Sequence, residues 1–175
     1  MRIRTAIAVP AASAAVAALL VTAPQSRAAG AGPDRTVRCA EQSLTVRAKA
    51  AAADPTVLRV GVTNRGARAC TVDRVPTVTF GNLDGAALPV PRGGTGGHRL
   101  AAGGTAYADV RTIADPADPE ARRTGSVTVA ASTAHWGRTF TAAQLGTGRR
   151  VPVWEPVTTW WQSSAAAADR AVGLG

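Results

Sequence analysis

Hydrophobic and polar residues alternate along most of this chain with the two-residue period of a β-strand that buries one face. The longest such runs are residues 44–49 and 58–63, where leucine, valine or alanine alternates with threonine, arginine, glycine or lysine. Shorter runs of the same kind occupy residues 75–80, 87–90, 106–111, 127–131, 139–141 and 151–157. A series of about eight short strands separated by turns predicts an all-β sandwich.

Turn and helix signals complete this pattern. Asp84-Gly85 follows a strand and supplies the positive φ that a tight hairpin needs, which predicts a turn at residues 82–85. Near the C-terminus, Ser163-Ser164 precedes the alanine-rich residues 165–174, and a serine cap followed by alanines predicts a short helix. A frayed tail is the alternative, because so short a helix is marginal in water unless it packs.

The first 28 residues have the character of a Sec-type signal peptide: a positively charged start, an apolar stretch and small residues. Cleavage after Ala28 and cleavage after Ala31 both fit, and a retained, uncleaved anchor is the alternative. Residues 29–36 are expected to be a flexible lead-in. The chain is therefore expected to be secreted, outside the cell.

The remainder is expected to form one β-sandwich domain, residues 37–157, and a Trp/Ala-rich tail, residues 158–175. We find neither an internal repeat nor a long linker in this part of the sequence. No later segment approaches the ~18 consecutive apolar residues of a membrane span, so no stable span is expected after signal cleavage.

The chain has two cysteines, Cys39 and Cys70. In an exported protein two cysteines predict one disulfide, because an oxidising compartment allows the bond to persist.

The sequence around these cysteines resembles that of a known family. Residues 58–71 read LRVGVTNRGARACT, with a Thr-Asn-x-Gly turn before a Cys-Thr pair, and Cys39 precedes the strand. Residues 100–107 are similar to a second family segment, Leu-x-Pro-Gly-x-x-Ala. The pattern resembles secreted proteins called domain of unknown function 4232. The resemblance implies an immunoglobulin-like β-sandwich of about 7–9 strands and a Cys39–Cys70 bridge, and it implies no activity.

Asn64 and Gly66 are predicted to be structural turn residues. Asparagine tolerates left-handed backbone geometry and glycine extends that freedom, so the chain can reverse after the strand at residues 57–63.

The formal charge of +9 comes almost entirely from arginine, since Lys49 is the only lysine. The arginines are scattered through turns and strand faces, which favours a solubilising role over a binding surface. Binding of an anionic polymer through surface arginines is the alternative. Nucleic acid is not expected as a partner, because aromatic residues do not interleave with the basic ones.

We find no candidate catalytic residue, metal site or cofactor site in the sequence. His98 and His135 are isolated in predicted turns, and no serine lies in a Gly-x-Ser-x-Gly elbow. Two separate histidines supply too few ligands for a metal. Asp115, Asp118 and Glu120 lack the spacing of a calcium loop.

All four tryptophans lie in the last quarter of the chain. Trp136 and Trp154 are expected to pack under sheet edges or in the core. Trp160 and Trp161 are adjacent, and neighbours in an extended chain point to opposite faces, so burying both against one core is difficult. Either both cover the base of the sandwich or clamp the alanine-rich tail, or one is exposed and forms a binding patch with its neighbours. Trp154, Trp160 and Trp161 are therefore the candidate binding residues.

Together these features predict an exported, non-enzymatic β-sandwich module that binds a cell-envelope component or an extracellular partner. A small envelope hydrolase and an anionic-polymer binder are the alternatives.

Overall fold

The structure is a computed structural model that describes residues 37–174 of the 175-residue chain. The predicted signal peptide, residues 1–28, and the lead-in, residues 29–36, lie outside the described residues. Within them the chain is mostly β-structure, as the two-residue period predicts.

The described residues form thirteen strands, two α-helices and one 3-10 helix, more strands than the 7–9 expected. Their bounds are 3-10 helix Glu41–Ser43, β1 Leu44–Ala50, β2 Val57–Asn64, β3 Cys70–Asp73, β4 Thr77–Phe80, β5 Leu83–Ala86, β6 Leu88–Val90, β7 Gly97–Leu100, β8 Thr105–Arg111, β9 Arg122–Thr124, β10 Ser126–Ala130, β11 Arg138–Thr141, α1 Ala142–Leu145, β12 Val151–Val153, β13 Val157–Thr159 and α2 Ala165–Val172. The additional strands are short pieces such as β7 and β9, whose sequences lack the alternation that marks a half-buried strand.

Two open sheets enclose one hydrophobic core. The larger has the order β1-β2-β8-β13-β6 and the smaller β11-β10-β4-β5, while β3 pairs with β7 and β9 pairs with β12. All of these pairings are antiparallel except β13 with β6. Val60 and Val62 from the larger sheet and Val78 and Val129 from the smaller belong to the same buried cluster. The fold is therefore all-β and sandwich-like.

The predicted disulfide is present. Cys39 is bonded to Cys70, 31 residues later at the start of β3, and both residues are buried. A loop of this length is worth about 3–4 kcal/mol in the chain-entropy model. The bond thus fastens the segment before β1 to β3.

The conformational reason given for Asn64 is wrong. Neither Asn64 nor Gly66 has a positive φ. Asn64 is completely buried, and its Nδ2 donates hydrogen bonds to the carbonyl oxygens of Arg68, at 2.8 Å, and Ala101, at 3.1 Å, while its Oδ1 accepts one from the Gly66 amide at 2.8 Å. The asparagine therefore holds two loops together through its side chain.

The hairpin between β4 and β5 also differs from the prediction. Phe80 pairs with Leu83, so the turn lies at Gly81 and Asn82, and Asp84 and Gly85 belong to β5. Gly81 has φ +53°, and a Cβ there would lie 2.1 Å from Thr124 Oγ1. The close approach of another segment selects glycine at this turn.

The helix predicted near the C-terminus forms α2. Ser164 caps it, because its Oγ accepts a hydrogen bond from the Ala167 amide at 3.2 Å. Gly173 ends it in the left-handed conformation that glycine favours. Ala168 is completely buried where the helix packs on β8 and β13. Tertiary packing thus supplies the stability that a helix of this length lacks in isolation. Residues 158–159, which were expected in the tail, are part of β13.

Candidate functional site

The outer face of β1, β2 and β8 carries a shallow depression. Across these strands Arg47 is opposite Gly61, and Gly61 is opposite Tyr107. The alternate positions of β2, such as Val60, face the core, so these residues face outward. Gly61 has no side chain, and a Cβ added there would have no neighbouring atom closer than 3.9 Å. A glycine between two long side chains therefore leaves open space between them.

This depression continues as a groove of about 1130 Å³ around the edge strand β1. β11 and α1 contribute Phe140 and Gln144 to its far side. Its basic residues are Arg47, Lys49, Arg59, Arg65 and Arg138. No aspartate or glutamate lines it among the described residues. We call this site the basic groove.

Only Arg59 among these five cations forms an ion pair within residues 37–174. It contacts Asp169 of α2, and its Nε lies 3.3 Å from Asp109 Oδ1. Arg65 donates from Nε to Thr45 Oγ1 at 3.4 Å, and the Arg138 guanidinium lies 4.9 Å from the centre of the Phe140 ring. The other four cations therefore present positive charge that the described residues leave uncompensated.

Asp109 lies at the end of this face, under α2. Its side chain is fully buried, and its Oδ2 has no hydrogen-bond partner among the described residues. Burial, and next the neighbouring Asp169 carboxyl, raise the pKa of Asp109 to about 6, and the Arg59 guanidinium opposes this shift. The carboxyl is therefore held at an energetic cost where α2 meets the sheet.

A smaller pocket of about 230 Å³ lies at the start of β1, and its lining includes His135, Glu41 and Thr45. This combination bears on the hydrolase alternative. His135 Nε2 is 3.0 Å from the Cys39 carbonyl oxygen, and its Nδ1 is buried without a partner among the described residues. One ring nitrogen is thus engaged and the other inaccessible, so the imidazole offers no base to a substrate in this pocket.

The structure does not bring the two histidines into one pocket. His98 lies on β7, opposite Val72 of β3, and is half-buried. Burial, and then the charge of Arg74, lower the pKa of His98. No group of three or more metal-ligating side chains occurs within residues 37–174.

Of the three tryptophans proposed as binding residues, one is buried and two are partly exposed. Trp161 is only 4% exposed and belongs to the core, so a partner cannot reach its ring in this structure. Trp160 points the opposite way, as alternation requires: the Arg74 guanidinium lies 4.6 Å from its ring centre, and its Nε1 donates to the Pro91 carbonyl at 3.2 Å. Trp154 is half-buried. A binding role for Trp154 and Trp160 stays a prediction.

Trp136 contradicts the expectation that it packs against the protein. It is 91% exposed, the highest value among the exposed large hydrophobic residues of the described chain. Its neighbours are fixed: His135 contacts the Cys39 carbonyl, and the Gly137 amide donates to Glu41 Oε1 at 2.7 Å. The loop therefore displays an indole that contributes nothing to the core.

A family model described as Domain of unknown function (DUF4232) matches residues 39–161. The chain belongs to this family. The predicted membership of this family is thereby confirmed. Searches of curated proteins and of solved structures found no match.

The DUF4232 match includes every strand that lines the basic groove and ends before α2. Within residues 37–174, no helix combines the length and the apolar character that crossing a bilayer requires.

Sequence reasoning found the strands of the groove but missed the groove. The available signal was the set of polar residues at alternate positions, Arg47 and Lys49 on one strand and Arg59 on the next. Locating the groove also required the strand order, which joins β1, β2 and β8 side by side.

Proposed function

We propose that this chain is an exported, non-enzymatic binding module with an immunoglobulin-like sandwich, and that its basic groove binds an anionic polymer of the cell envelope or extracellular space. The observation that carries the proposal is the groove itself, whose lining holds five cations and no acid among the described residues. An extended positive surface raises the local concentration of polyanions and speeds their association. The groove is the surface to which we assign the anionic-polymer alternative.

Two features support export and the fold assignment. The N-terminal residues have the composition of a signal peptide, and the Cys39–Cys70 disulfide fits an oxidising compartment. Two open, mostly antiparallel sheets around a common core support the proposal of an immunoglobulin-like sandwich. N-terminal sequencing of protein from the growth medium tests export, and a mature chain that starts after Ala28 or Ala31 is the expected result.

Non-enzymatic binding is favoured because the groove offers charge without a catalytic group. An arginine side chain presents hydrogen-bond donors and no acceptor, so Arg47, Arg65 and Arg138 offer charge without a general base. Such side chains recognise carboxylate or phosphate groups through charge-assisted hydrogen bonds.

The proposal is tested by titrating polyphosphate, a simple polyanion, into the oxidised protein and into an Arg47→Gln/Lys49→Gln variant. Each exposed ion pair is worth about 0.2–1 kcal/mol, so the double variant should bind about 2- to 30-fold more weakly. Binding should also weaken as NaCl is raised from about 0.05 to about 0.5 M, because salt screens exposed charges.

The matched control is Arg122→Gln/Arg123→Gln, which removes the same charge from exposed positions of β9 that do not line the groove. Its affinity should stay within about twofold of the wild type, since exposed charges at a distance are screened. Equal losses in both variants would show non-specific attraction to a basic protein, and no binding by the wild type would refute the proposal.

A further inference from the structure

Trp136 is held in an exposed position by its surroundings. Its loop is anchored on both sides of the indole, by His135 to the Cys39 carbonyl at 3.0 Å and by the Gly137 amide to Glu41 at 2.7 Å. Gly137 has φ +76°, and a Cβ there would lie 2.5 Å from the Val129 carbonyl oxygen. Contacts of its neighbours and of the backbone therefore fix the conformation of the loop, while the indole itself stays exposed.

Trp136 is close along the chain to Arg138, a residue of the basic groove. Arg138, two residues later, lines both the groove and the smaller pocket beside β1, and His135 and Gly137 line that smaller pocket. Two residues of extended chain span at most about 7 Å. The Cα atoms of Trp136 and Arg138 therefore lie within about 7 Å of each other, a distance that neighbouring units of one bound polymer span.

We propose that the polymer bound by the groove is an acidic polysaccharide, and that Trp136 stacks on one of its sugar rings. This inference rests on the proposed function, since it needs the groove to bind a polyanion. An indole presents an apolar face with a polar edge, which suits the C–H face of a sugar ring. Arginine is suited to carboxylates because its planar fork binds both oxygens. A polysaccharide with acidic sugars carries both groups in one chain.

The test compares three polymers: polygalacturonate, which has sugar rings and carboxylates; polyphosphate, which has charge without rings; and dextran, which has rings without charge. Each is titrated into the oxidised wild-type protein and into Trp136→Ala and Trp136→Phe variants. An aromatic contact contributes enough to change affinity about 2- to 10-fold. Trp136→Ala should therefore weaken polygalacturonate binding by that factor and leave polyphosphate binding unchanged.

Trp136→Phe should recover part of the loss, because it keeps an aromatic face. Dextran should bind far more weakly than polygalacturonate. Thermal unfolding should be the same for all three proteins, because an exposed side chain contributes little to stability. This separates a ligand contact from a folding defect.

The two proposals fail differently. If the wild type binds polyphosphate but not polygalacturonate, or if Trp136→Ala changes the affinity for both polymers equally, the polysaccharide inference is overturned and the groove proposal stands. If the wild type binds neither polymer, both are overturned.

Discussion

The outer face of the larger sheet has two halves, one in which the charged side chains are paired and one in which they are not. In the covered half, α2 lies over β8 and β13, Arg59 is paired with Asp109 and Asp169, and Arg111 donates to the Val172 carbonyl oxygen at 2.7 Å. In the open half, on β1 and its flank, the other four cations of the basic groove, Arg47, Lys49, Arg65 and Arg138, have no acidic partner among the described residues.

The difference separates charges that serve the fold from charges that do not. A charge taken out of water must be paired, since an unpaired buried charge costs several kcal/mol, and the covered half meets this requirement. An exposed charge on an edge strand needs no partner and adds little stability. The open half therefore carries charges that the fold does not require, which is why we assign them to binding.

The largest expected effect comes from the buried carboxyl of the covered half. Because the pKa of Asp109 rises from 3.8 to about 6 on folding, the folded state favours the protonated form, and its contribution to stability falls as pH rises from about 4 to about 6. Asp109→Asn lacks this titration. The free energy of unfolding of the wild type, relative to that of the variant, should fall by up to about 3 kcal/mol between pH 4 and pH 7.5.

Urea unfolding at both pH values measures this effect. Asp84→Asn, which removes an exposed carboxyl on β5, serves as the control for loss of an acid. If the free energy of unfolding depends on pH in the same way in the wild type and in Asp109→Asn, Asp109 does not titrate with a raised pKa. Its burial under α2 would then carry no energetic cost.

The next effect tests whether α2 is a fixed part of the covered half. Ala168 is fully buried, so Ala168→Arg should lower the free energy of unfolding by about 1–3 kcal/mol through overpacking and burial of a charge. Ala166 is exposed on the same helix, and Ala166→Arg should change stability by less than about 0.5 kcal/mol. Equal effects in the two variants would mean that the helix is not docked as described.

A smaller effect is expected at the start of α2. Ser164→Ala removes the cap that accepts the Ala167 amide and should cost about 1 kcal/mol. Ser163 is exposed and does not cap the helix, so Ser163→Ala is the matched control. Hydrogen exchange of the first-turn amides of α2 should accelerate only in Ser164→Ala, and identical exchange in both variants would contradict the cap assignment.

The smallest effect on stability belongs to the open half. Lys49→Gln should change the free energy of unfolding by less than about 0.5 kcal/mol, because the side chain is exposed and has no acidic partner among residues 37–174. The same variant should weaken polyphosphate binding by up to about 5-fold, as expected for one lost ion pair. If the variant loses stability and keeps its affinity, Lys49 stabilises the fold and does not bind the polymer.

The strands that form this face were predictable, and their arrangement was not. The alternation in β1, β2 and β8 is a local property that reports which residues face the core. The position of Gly81 at the hairpin depends on Thr124, a distant residue, and local turn preference pointed instead to Asp84-Gly85. Asn64 was recognised as structural, but its hydrogen bonds to Arg68 and Ala101 depend on tertiary structure.

The candidate site was harder to predict for the same reason. The adjacent tryptophans were candidate binding residues in the sequence, but Trp161 is in the core and the Arg74 guanidinium covers the ring of Trp160. Charge complementarity between Arg59 and Asp169, 110 residues apart, cannot be read from either segment. Nor does a local pattern indicate that Trp136 is exposed, because its hydrogen-bonded neighbours contact the segment before β1.

The sulphur bridge has a practical consequence for anyone preparing this protein. The carbonyl oxygen that forms a hydrogen bond with His135 belongs to Cys39, which is bonded to Cys70. One anchor of the Trp136 loop therefore lies on a residue of the disulfide. Material purified from a reducing cytosol would lack that tie, and its ligand measurements would describe a different surface. Counting free thiols before each titration is therefore part of the assay.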